Sequence, residues 1–166
     1  MYRRIDDFVN AWRHDSATTL KVLRALTDAS LEQRVTPEGR TLGRLAWHIA
    51  ETIPEMLGHA GITVAGPGPR NDTPTSADEI AGAYERAAKA VPAAVRGAWT
   101  DDQLEDEVEM YGQRWTKGMV LASLHLHEAH HRGQLTVLMR QAGLTVPGCY
   151  GPSAEEWAAM GVPAMS

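Results

Sequence analysis

The amino-acid sequence predicts an all-α protein: a four-helix bundle with a long connection between its second and third helices and a short C-terminal helix. Three observations predict it. Four long segments carry apolar residues at helical spacing, almost nothing alternates with the period of a strand, and Gly/Pro-rich or unpatterned stretches separate the segments. At 166 residues the chain has the size of one domain, taken as residues 1–166, and can bury a core without covalent staples.

The first helix is expected from about Tyr2 to Leu26, with Ile5, Val9, Trp12, Leu20 and Leu23 along one stripe. The second runs from about Thr41 to Ala60, with Leu42, Leu45, Ile49, Ile53 and Met56 on one face. Thr41 suits its N-cap and Gly61 its end. GITVAGPGPRNDTPTS follows and is too rich in Gly and Pro for regular structure.

The third helix opens with Ser76 and Glu79 at capping-box spacing. It continues through Ile80, Tyr84, Ala87, Val91 and Val95, and Pro92 should kink it or end it early. From Trp99 to Trp115 no period holds, so a loop is expected, with a short extended piece around Glu107 to Tyr111. The fourth helix is expected from Thr116 to Ala142, closed by Gly143. The tail VPGCYGPSAEEWAAMG reads as a loop and one or two helical turns capped by Ser153 and Glu156.

Charge narrows the partners. The net charge is -5, the longest basic run is Arg3-Arg4, and no basic face emerges, which argues against nucleic acid. The acidic run Asp101, Asp102, Glu105, Asp106, Glu107 and Glu109 reads as a solvated turn. No apolar run reaches membrane-spanning length, and the charged N-terminal residues do not resemble a secretory signal. Cys149 is the sole cysteine, so no internal disulfide forms; these features together predict a cytoplasmic protein. Cys149 lies in a Gly/Pro loop with no histidine near it in sequence, which makes it a weak candidate nucleophile.

The chemistry concentrates in the histidines. Four of the seven, His125, His127, His130 and His131, fall within LHLHEAHHRGQ. The core stripe of the fourth helix traces through Val120, Leu124, His127, His131, Leu135 and Leu138. His127 and His131 project from one face about one pitch (~5.4 Å) apart, so both can meet one metal ion. Each buried imidazole also needs partners for both nitrogens, and a metal supplies one to each ring. His130 sits ~60° from His127 and ~100° from His131, able to pair with the first but not to join both. His125 points away and reads as a surface or groove residue.

His48, in TLGRLAWHIAET, flanks the stripe of the second helix beside Leu45 and Ile49, and alone reads as a boundary residue. It matters because the second and fourth helices must pack somewhere in a bundle. His59 lies three turns further on, too far to share a site, while His14 could reach the same cavity.

His127-Glu128-Ala129-His130-His131 also satisfies H-E-x-x-H, the zinc-protease helix, in which Glu128 would be the general base. The ligand pair is unchanged under that reading. The extended form fails, because Gln134 and Val137 stand where Gly and His belong, and no strand offers itself to a peptide. Glu128 reads chiefly as a surface glutamate, with Glu128 and Arg132 as weak catalytic candidates and Gln134 as a residue that could orient neighbours.

The pieces LGRLAWHIAE, HEAHHRGQL and LMRQAGLTVPGCYGPS, in this order and spacing, resemble the DinB/YfiT-like family, also described as mycothiol- and bacillithiol-transferase-like. The resemblance covers nearly the whole chain. It implies a four-helix bundle with one divalent metal at the end of its core, held by His48, His127 and His131. Zinc or nickel is the implied metal, with iron or manganese next, and a homodimer is implied as well. Some relatives conjugate a low-molecular-weight thiol to an electrophile, so the expected activity is a metal-dependent, thiol S-transferase type of reaction on small molecules. A metal-dependent hydrolase and a non-enzymatic metal-stabilised stress-response or binding module are the alternatives. Three imidazoles alone suit zinc, nickel, copper and iron alike.

Overall fold

The structure, a computed structural model, describes residues 1–68 and 72–163, so Pro69, Arg70 and Asn71 of the Gly/Pro-rich connection lie outside the described residues. Four long helices form where apolar periodicity placed them: α1 (Ile5–Leu23), α2 (Leu42–His59), α3 (Ala77–Ala98) and α4 (Lys117–Gln141), followed by a short α5 (Ala154–Ala159). Helix α1 is shorter at both ends than its stripe suggested. Arg4 gives it no side-chain cap; Asp101 accepts the Ile5 N–H at 2.8 Å instead.

The other starts use hydroxyls, those of Thr41, Ser76 and Ser153 as expected and that of Thr116 in addition. Thr41, Ser76, Thr116 and Ser153 each accept a backbone N–H three residues on, and Gly61 and Gly143 adopt positive φ just past α2 and α4. Helix α3 does not end early: it passes through Pro92 and continues to Ala98. Proline at 92 removes the N–H that would bond the Ala88 carbonyl. Trp12 Nε1–H donates to that carbonyl at 3.0 Å, so no buried acceptor is orphaned.

The stretch after α3 is also more ordered than a loop. A 3₁₀ turn at Asp101–Glu105 leads into β1 (Glu107–Met110), which pairs antiparallel with β2 (Gln113–Thr116), in register Glu107 with Thr116 and Met110 with Gln113. Only the first strand was anticipated. Four-residue strands with mostly exposed side chains show little alternation, and the Tyr111-Gly112 turn lacks the usual Asn-Gly or Asp-Gly signature.

Helices α1 and α2 each pack on both α3 and α4. Phe8, Trp12, Ile49, Ile53, Ile80 and Leu121 fill the space between them, fully buried. Each such side chain contributes about 1.5–3 kcal/mol relative to an exposed one. Among the described residues no helix is long and apolar enough to cross a membrane.

Candidate metal centre

Packing α2 against α4 brings His48 to His127 and His131. The ring centroids are 5.2 Å (His48 to His127), 4.7 Å (His48 to His131) and 4.5 Å (His127 to His131) apart. One nitrogen from each ring lies within 4.8 Å of the other two, close enough for the three to hold one metal ion. His131 Nε2 stands 3.2 Å from His127 Nε2. Its other nitrogen, Nδ1, meets the Gln134 Oε1 at 2.7 Å. An amide oxygen only accepts, so this bond puts the His131 proton on Nδ1 and leaves the Nε2 lone pair facing its neighbours.

Burial, reinforced by the neighbouring imidazoles and by Arg40, pushes His48 and His127 down to about 4. Burial lowers His131 as well, against the Gln134 hydrogen bond that raises it. All three are therefore neutral at pH 7, the form that donates to a metal. Histidines that bind fewer protons folded than unfolded leave stability intact above about 6.5; it falls as the pH drops from 6.5 towards about 4. The urea midpoint of metal-stripped protein should decline across that window. Replacing both His48 and His127 by glutamine should flatten the decline, and an equally steep slope in the double variant would contradict the assignment.

His48 and His127 line a cavity of about 770 Å³ whose walls include Arg44, Met56, Tyr111 and Trp115. His131 borders a second one of about 430 Å³, with Arg40 and Gln134. The remaining histidines stay outside the cluster. His130 is exposed, and its Nε2 meets the Gln134 amide nitrogen at 3.1 Å. His14 does not line the larger cavity; it is exposed beside Tyr150. His59 is exposed and 3.3 Å from Glu55.

Glu128 and Arg132 correct the sequence reading. Glu128 is not a surface residue but 3% exposed, accepting from Thr19 Oγ1 at 2.7 Å and from the Tyr84 hydroxyl at 2.9 Å. Its carboxyl thus engages α1 and α3, while the metal-ligand candidates join α4 to α2. Burial pushes it up to about 7, opposed by those two donors and by Arg132. Arg132, equally buried, donates to Thr19 Oγ1 at 2.8 Å and to the Asp15 carbonyl at 3.2 Å.

Asp15 is the hub that sequence reasoning missed. Its carboxylate takes the Tyr150 hydroxyl on one oxygen and His125 Nε2 on the other, with Arg132 beside it at 3.8 Å. His125 is therefore half-buried and bonded, with Tyr2 Oη at 3.0 Å from its Nδ1, rather than a free surface residue. The available signal was register: Asp15 falls between Trp12 and Thr19 on the buried stripe of α1. Cys149 lines a separate cavity of about 410 Å³ with Arg132 and Tyr150.

A model of the DinB family matches residues 1–164. The uncharacterized protein YrdA of Bacillus subtilis (strain 168) is 43% identical over 164 residues, which span 99% of this chain and 98% of that protein. A crystal structure of a DinB-like protein from Bacillus cereus ATCC 10987 aligns with a TM-score of 0.86 at 43% identity, over 90% of this chain and all of its own. The DinB-like protein YjoA of Bacillus subtilis shares the fold at 21% identity, with a TM-score of 0.66 over 86% of this chain and 96% of its own.

Proposed function

The chain belongs to the DinB family, and on that footing we propose that it is a metal-dependent enzyme of small molecules, with His48, His127 and His131 holding one divalent transition metal. The observation that carries this reading is the convergence of three neutral imidazoles beside a cavity of about 770 Å³. Three nitrogen donors with space alongside suit a reactive centre better than a closed structural one. Three imidazoles suit zinc, nickel, copper and iron alike, and the family resemblance favours zinc or nickel among these, with iron or manganese next.

When bound, such a metal supplies a Lewis acid that holds a thiol as thiolate at neutral pH. The chain supplies the rest. Gln134 fixes the tautomer of His131, burial keeps protons off all three rings, and the cavity beside His48 and His127 leaves room for a small substrate. Transfer of a low-molecular-weight thiol to a small electrophile is the reaction we assign. A hydrolase using Glu128 as its base is disfavoured, because that carboxyl is buried, bonded through Oε1 to α1 and α3, and does not line the cavity beside His48 and His127.

Metal-loaded protein should consume a low-molecular-weight thiol in the presence of a halogenated arene, and His131→Ala should lower the rate by on the order of 100-fold or more. Metal-dependent ester or amide cleavage without thiol consumption would replace the transferase reading with the hydrolase. Stabilisation by metal with no turnover of either kind would leave a binding module.

A further inference from the structure

Resting on the reading of the larger cavity as the substrate site, we infer that Tyr111 and Trp115 of the hairpin form its specificity-determining wall and receive the planar, electron-poor part of the substrate. Both side chains line the cavity that His48 and His127 also line, so a group held on the hairpin shares that space with the histidines.

The backbone makes Tyr111 unusual. It has φ 53° and Gly112 has φ 76°, the mirror-image two-residue turn that matches the twist of the flanking strands. Asn, Asp or Gly favours the first position of such a turn, and a tyrosine is strained there. Tertiary contacts hold it in place. Its hydroxyl donates to Glu55 Oε2 at 2.8 Å, which ties the hairpin tip to α2, and its ring lies 5.1 Å from that of His59 and 6.0 Å from that of Trp115. Tyr111 nonetheless remains 52% exposed, so this strained position presents a large ring at the cavity and does not fill the core.

Trp115 offers surface and no demand for a polar partner. Its Nε1–H already meets Gln113 Oε1 at 3.2 Å, within the hairpin. Two rings at an interplanar angle of 67° present both a face and an edge. Aromatic faces carry negative potential and edges positive, so such a pair prefers flat, electron-poor π-systems over saturated groups of equal size. Met56, Pro54 and Pro67 add apolar surface to a lining that also carries Arg44, Glu51 and Glu55. Electron-poor planar carbon is also the carbon that a thiolate attacks, which joins this wall to the reaction assigned above.

Calorimetric titration with nitrobenzene and with nitrocyclohexane tests the wall, since the two probes share a nitro group and differ in planarity. Wild-type protein should bind nitrobenzene roughly 10-fold more tightly. Tyr111→Gly, which suits the turn, and Trp115→Leu should each reduce that preference to about 2-fold or less, with metal content and far-UV circular dichroism unchanged. Tyr111→Phe, which keeps the ring, should restore most of it. Equal affinity of the wild type for both probes, no measurable nitrobenzene binding, or a preference that survives both ring deletions would overturn the inference. Metal analysis of the same samples separates the two readings. A planar preference in protein that takes up no metal sinks the metal centre alone, and metal uptake without the preference sinks the wall alone.

Discussion

Replacing His127 by alanine should reduce bound zinc from about one ion per chain to background. The remaining donors, His131 and His48, sit on different helices, so the pair one helical turn apart is lost. His48→Ala should do the same, because α2 contributes no other member to the cluster. His130→Ala should keep its metal: that side chain is exposed and lies outside the three that converge. Gln134→Ala should bind about 10- to 100-fold more weakly, since it frees the Nδ1 proton of His131 without removing a ligand. Elemental analysis after exhaustive dialysis, with circular dichroism to show the helices intact, reads all four. Full occupancy in both His48→Ala and His127→Ala would rule out the centre.

The largest stability effect should come from Arg132→Leu. The guanidinium is 3% exposed, bonded to Thr19 and the Asp15 carbonyl, and stands 3.9 Å from Glu128 and 3.8 Å from the Asp15 carboxylate. Removing it leaves two buried acidic side chains without their cation, which costs about 3–5 kcal/mol. For a domain of this size that corresponds to a fall in melting temperature of roughly 10 °C. Arg132→Leu combined with Glu128→Leu should cost less than the sum of the two single changes, because the apolar pair removes both charges together. Urea titrations of the four proteins measure this, and a loss below 1 kcal/mol in Arg132→Leu would show that the network contributes little.

The helices were legible because their apolar stripes and caps are local. Thr41, Ser76, Thr116 and Ser153 mark starts that need no knowledge of the rest of the chain. The pair His127 and His131 was equally local, being set by helical pitch. His48 was not, since its place depends on how α2 packs on α4, and family resemblance supplied it. Glu128 was misread because α4 has a second buried face, created by Asp15 and Thr19 on α1 and Tyr84 on α3. Partners more than 40 residues away leave no mark on local periodicity. That α3 does not end at Pro92 was hidden for a related reason, as the Trp12 indole that satisfies the freed carbonyl comes from another helix.

Three sides of helix α4 are engaged. Val120, Leu124, Leu135 and Leu138 face the core, His127 and His131 face α2, and His125, Glu128 and Arg132 engage the Asp15 network, which leaves positions such as Leu126 and Val137 facing outward. A change at any of the engaged positions disturbs the core, the metal-ligand candidates or the Asp15 network. A descendant chain could change its substrate range by rewriting the hairpin, whose residues are largely exposed, while the engaged positions of α4 stay as they are. The division would let chemistry stay fixed as recognition drifts.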